Sequence, residues 1–179
     1  MHRLQPVILA VLISAFAGRT GAMQIPVMAP LTTRLAREIK HKEPSWRYTA
    51  GWCTCPPLVS GQLSHDVDSW ERKDREGNRE LLDMDIYKIS TAEEASEWIR
   101  RFGRGDFGKG CEVEKYQLGD EAYLLKCPRR FKSILSYNKN NFIVAVTGDS
   151  QSVVERFAKY SVTQLPAKRF QRTRARRES

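Results

Sequence analysis

Between Pro30 and Pro44 the apolar residues Leu31, Leu35, Ala36 and Ile39 recur at helical spacing with Arg and Lys on the other face, which predicts an amphipathic helix. The stretch Trp46 to Cys55 (WRYTAGWCTC) is rich in aromatic and strand-favouring residues and stops at Pro56-Pro57, so it reads as a strand. Residues 58–65 read as a loop. A hairpin follows, from Val67 to Asp74 and from Glu80 to Ile89, turning at Glu76-Gly77-Asn78. Its second arm alternates Leu82, Met84 and Ile86 with Asp83, Asp85 and Tyr87, the pattern of a strand buried on one face. Ala92, Ala95, Trp98, Ile99 and Phe102 mark a second helix, capped by Ser90 or Thr91 with Glu93 and Glu94 placed for a capping box. Four short strands are predicted over 111–118, 122–128, 131–137 and 141–148. A last helix over about 150–164 sets Val153, Val154, Phe157 and Leu165 on one side, with Asp149 or Ser150 as its cap.

The resulting order is α-βββ-α-ββββ-α. Strands joined by short turns pair antiparallel, and helices set apart by hairpins argue for an α+β fold, a sheet of short strands with helices packed on one side. Tyr116 to Tyr123 (YQLGDEAY), then Phe142 to Val146 (FIVAV) and a closing helix, resembles a pattern in small exported bacterial proteins of uncharacterised function. That resemblance implies export and architecture and brings no site residues with it.

Residues 1–22 change the picture of where the protein works. Arg3, the apolar run Val7 to Ala17 and the small-residue sites Ala15-Phe16-Ala17 and Thr20-Gly21-Ala22 have the form of an export signal, cleaved after Ala17 or Ala22. The run is shorter than the roughly 18–20 residues that span a bilayer. Export to the periplasm or the exterior is therefore expected. The full chain has 30 Lys+Arg against 21 Asp+Glu, a net charge of +9. Most of the excess lies in residues 166–179, where Lys168, Arg169, Arg172, Arg174, Arg176 and Arg177 face one acid, Glu178. The body, residues 23–165, reads as a single nearly neutral domain, and the basic segment after it as a disordered tail suited to an anionic membrane surface or envelope polyanions.

Several motifs lose their meaning in context. Gly103, Gly105 and Gly108 spell G-x-G-x-x-G, and Gly103 to Lys109 spells G-x-x-x-x-G-K. Phosphate cradles of either kind need a strand before the loop and a helix after it; here the predicted order is reversed, which argues against nucleotide binding. Gly148-Asp149-Ser150 resembles the nucleophile block of GDS-type esterases, but no His follows Ser150. Asp83 and Asp85 read as a solvated sheet face, and His41 and His65 show no metal-ligand spacing, so no metal or cofactor is predicted.

Four cysteines, Cys53, Cys55, Cys111 and Cys127, in an exported domain argue for disulfides. Cys111 and Cys127 lie eight positions either side of Gly119, so a symmetric turn there sets them opposite each other. Three connectivities stay open. Trp52-Cys53-Thr54-Cys55-Pro56 also resembles a redox motif, although its C-x-C spacing lacks the helix that activates a C-x-x-C thiol. The expected function is a non-catalytic domain that binds or senses something in the cell envelope. The alternative is thiol–disulfide exchange through Cys53 and Cys55.

Overall fold

The structure, a computed structural model, describes residues 29–50, 61–106, 110–128 and 132–166. The proposed export segment, Cys53 and Cys55 and all six cations of the tail lie outside the described residues. The elements are α1 (Ala29–Lys42), β1 (Arg47–Ala50), β2 (Gln62–Lys73), β3 (Arg79–Ile89), α2 (Ala92–Gly103), β4 (Glu112–Tyr116), β5 (Glu121–Cys127), β6 (Lys132–Lys139), β7 (Phe142–Gly148) and α3 (Gln151–Gln164). The fold is α+β, in the order the sequence pattern predicts. All seven strands join one antiparallel sheet, ordered β1-β2-β3-β7-β6-β5-β4.

Alternation along the central strands sorts the core into two layers. Leu82, Met84 and Ile86 of β3 and Phe142, Val144 and Val146 of β7 meet Leu35 and Ile39 of α1 and Val153, Val154, Phe157 and Ala158 of α3. Tyr87, Ile89 and Ile143 point the other way, onto Ala95 and Ile99 of α2, while Phe102 joins Leu125 and Cys127. The helices therefore cover both faces, not one. The cause is topological. Across four successive antiparallel pairings, β3 and β4 run in the same direction with three strands between them, so their connection has to cross a sheet face. With α1 and α3 on one face, the apolar stripe of α2 takes the other.

Two further expectations shift. β2 starts at Gln62, inside the stretch read as a loop, because β3 extends to Ile89 and gives it a partner; an irregularity between Gln62 and Ser64 breaks the alternation there. Neither predicted cap closes α3 with its side chain: the Ser150 hydroxyl meets that of Ser152 at 3.1 Å, and Asp149 accepts from the Leu81 N–H at 3.4 Å. Thr91 does cap α2, its hydroxyl accepting from the Glu94 N–H at 3.1 Å.

The β4–β5 hairpin turns at Gly119, which adopts φ +62; a Cβ there would fall 2.2 Å from the Asn138 carbonyl oxygen of β6. The register is symmetric about that glycine, from Tyr116 opposite Ala122 to Glu112 opposite Lys126. One step further, Cys111 and Cys127 are bonded, with Cα atoms 4.3 Å apart.

Candidate functional site

α1 ends at Lys42 before Pro44, and the Trp46 N–H donates to the Glu43 carbonyl at 3.0 Å, so the chain drops straight into edge strand β1. Glu43 accepts from Arg156 Nε (2.9 Å) and the Tyr160 hydroxyl (3.1 Å), which ties this corner to α3. β1 pairs with β2 so that Tyr48 stands opposite Trp70 and Arg47 opposite Glu71. Trp46 and Trp70 are buried edge-on against Phe157, at ring separations of 5.3 and 5.6 Å. Tyr48 packs edge-on against Trp70 at 5.6 Å and is 45% exposed.

A groove of about 650 Å³ lies between α1 and β1. Thr33, Ala36, Arg37 and Lys40 of α1 form one wall; Pro44, Trp46, Arg47, Tyr48 and Trp70 form the rest. The helix residues recur at i, i+3, i+4 and i+7, a face distinct from that of Leu35 and Ile39. The cations around the groove are not equivalent. Arg47 Nε donates to Glu71 (3.1 Å), which also accepts from Arg79 Nε (2.7 Å), and these two bonds hold the Glu71 carboxyl below its ordinary range. Arg72 pairs with Glu80 and lies over the Trp46 ring at 4.7 Å. Arg37 and Lys40 are exposed and make no ion pair among the described residues.

Behind Tyr48 sits a buried carboxyl. The Tyr48 hydroxyl donates to Asp68 Oδ1 at 2.7 Å, while Asp68 is 1% exposed and its Oδ2 has no partner among the described residues. Burial pushes the Asp68 carboxyl up to about 6, with the Tyr48 bond opposing the rise and the charge of Asp66 adding to it. Asp66, on the same face, is also raised by burial, and Tyr48 is raised by burial and by its bond to Asp68.

On the opposite sheet face the two predicted aspartates have partners. Ser69 donates to Asp83 at 2.7 Å, and His65 Nε2 meets Asp85 at 2.8 Å with its ring stacked on Tyr87 at 4.1 Å. His65 Nδ1 is buried without a partner among the described residues. No group of three potential ligand side chains gathers as a metal site among the described residues.

No protein-family model and no curated protein sequence matches the chain. Among solved structures it is similar to a GTP-binding regulator from Thermotoga maritima, at 18% identity and a TM-score of 0.47, with 75% of this chain and 89% of that chain covered. In this chain the glycine-rich segment begins at the end of α2 and leads to β4, so a helix precedes it and a strand follows. No described helix is long and apolar enough to cross a membrane.

The groove is the feature the sequence pattern did not single out. Its signals were present: alternating Trp46 and Tyr48, and cations at helical spacing away from the apolar stripe of α1. What joins them is the pairing of Tyr48 with Trp70 and the docking of α1 beside β1. Of the predicted site residues the structure brings together Cys111 and Cys127; the others lie outside the described residues.

Proposed function

We propose that this protein is an exported, non-catalytic binding domain of the cell envelope, with the α1–β1 groove as its ligand site and its basic C-terminal segment as a tether to anionic surfaces. The observation that supports this reading is the groove itself, whose walls offer a fixed aromatic ring, aliphatic stems and positive charge. Those are groups that bind. The carboxyl that Tyr48 touches is closed off from solvent, behind the ring rather than in the groove.

The test is a screen of small neutral, cationic and anionic compounds followed by NMR of the indole N–H groups. Compounds that bind should shift Trp46 and Trp70 and leave Trp98, on the α2 side, in place; a screen in which no compound moves Trp46 or Trp70 would overturn the reading. The tether is tested with vesicles containing phosphatidylglycerol. Replacing Lys168, Arg169, Arg172, Arg174, Arg176 and Arg177 by Gln should weaken association at low salt by about tenfold or more. Unchanged association would remove the tail from the proposal.

A further inference from the structure

We propose that the α1–β1 groove takes a small organic anion, a flat apolar body laid on Tyr48 with its carboxylate, sulfonate or phosphate held by Arg37 and Lys40. The proposal rests on the groove being the ligand site and names the class of ligand.

Three features carry it. The first is the pair of cations. Arg37 and Lys40 lie three residues apart on α1, a spacing that sets side chains side by side about one turn along the helix. Lys42 of the same helix is held by Glu38 at 2.6 Å and lies over the Tyr160 ring, and Arg47 is held by Glu71. Arg37 and Lys40 have no such partner among the described residues, and Ala36 beside them is part of the groove wall. A planar guanidinium next to an ammonium suits an oxyanion, since both groups only donate.

The second is the platform. Tyr48 is much more exposed than Trp46 or Trp70, yet its ring is fixed, packed against Trp70 on one side and anchored through its hydroxyl to Asp68. A ring held in place before binding loses little freedom when a flat apolar group covers it. The third is the sign of the field. No carboxylate lines the groove: Glu71 accepts from two arginines, Asp68 is buried behind the Tyr48 hydroxyl, and the half-buried Asp66 lies outside the lining. A cationic ligand, like the chain's own basic tail, would meet Arg37 and Lys40 with no carboxylate among the described lining residues to balance them. The volume of about 650 Å³ is that of a small-molecule site.

The experiment compares 8-anilinonaphthalene-1-sulfonate with its neutral parent, N-phenyl-1-naphthylamine. The protein carries Gln at the six tail cations so that the tail attracts neither probe. Binding is followed by probe fluorescence and by the Trp46 and Trp70 indole resonances. The sulfonate should bind saturably and about tenfold or more tighter than the neutral probe, with added salt eroding the difference. Arg37→Gln combined with Lys40→Gln should remove that preference and leave the neutral probe unchanged; both positions are exposed, so folding is not at stake. Equal binding of the two probes, or a double variant with undiminished sulfonate affinity, overturns the anion class while leaving the groove as a site. If neither probe moves Trp46 or Trp70, the anion proposal is overturned, and the compound screen alone then decides whether the groove is a site.

Discussion

Replacing Phe157 by Ala should lower the unfolding free energy by about 3–5 kcal/mol, as removal of a fully buried aromatic ring generally does. Phe157 is inaccessible to solvent and stands at the junction of α3, β1 and β2, with Trp46, Trp70 and Tyr160 around it at 5.3, 5.6 and 6.0 Å. Its loss has two costs. The transfer energy of the ring is forfeited, and a cavity opens that Trp46, pinned by the turn at Glu43, and Trp70, held in β2 between its neighbours, cannot collapse to fill. Urea unfolding followed by tryptophan fluorescence measures the total. The same variant should disturb the groove, since both indoles that form its inner wall lean on this ring. The Trp46 and Trp70 indole resonances should shift or broaden while Trp98, across the sheet, stays sharp. Phe157→Leu, which keeps most of the apolar volume, should cost clearly less. A loss below about 1 kcal/mol for the Ala variant would contradict the packing described for this layer.

That junction also shows how far the sequence can be read. The apolar alternation at Leu82, Met84 and Ile86 and the helical spacing at Ala95, Ile99 and Phe102 are local signals, each set by the geometry of one element, and they predict the element order. The turn at Gly119 is nearly as local: equal arms on either side of one left-handed residue place Cys111 opposite Cys127 without reference to the rest of the chain. The side of the sheet that α2 covers is not local. It depends on β7 inserting beside β3, which forces the β3-to-β4 connection across a face. The groove is less legible still, because Tyr48 and Trp70 meet only through the β1–β2 register. Asp68 is hidden for a different reason. Asp66, Asp68 and Trp70 alternate with Val67 and Ser69, so the pattern alone leaves it undecided whether the tryptophan or the carboxylates set the character of their shared face. The tryptophan prevails because Phe157 packs against it, and Asp68 is buried along with it.

Burial of Asp68 makes stability depend on pH in a direction opposite to that of a salt-bridged carboxylate. Its affinity for the proton rises on folding, from an ordinary value of 3.8 to about 6. Between those limits the native state binds more protons than the unfolded chain, so this group's contribution is fully present below pH 3.8 and is lost as pH rises through about 6. At about 1.4 kcal/mol per pH unit the loss amounts to roughly 3 kcal/mol. Asp68→Asn removes the titration and keeps an oxygen to accept from Tyr48. Its amide leaves buried donors without an acceptor, much as the protonated acid leaves its hydroxyl, so the variant should resemble the wild type near pH 4 and gain on it by roughly 3 kcal/mol by pH 7.5. Urea denaturation of both proteins at the two pH values measures the change directly; a stability difference that does not vary with pH would show that Asp68 does not titrate in this window. Tyr48→Phe supplies the second half of the argument. The Tyr48 hydroxyl donates to the ionised carboxylate and holds its proton affinity down, so without it the wild-type slope should extend to higher pH. The bond that fixes the groove's exposed ring is therefore the same bond that keeps a buried charge tolerable at neutral pH, and a shift of the slope in Tyr48→Phe would register both at once.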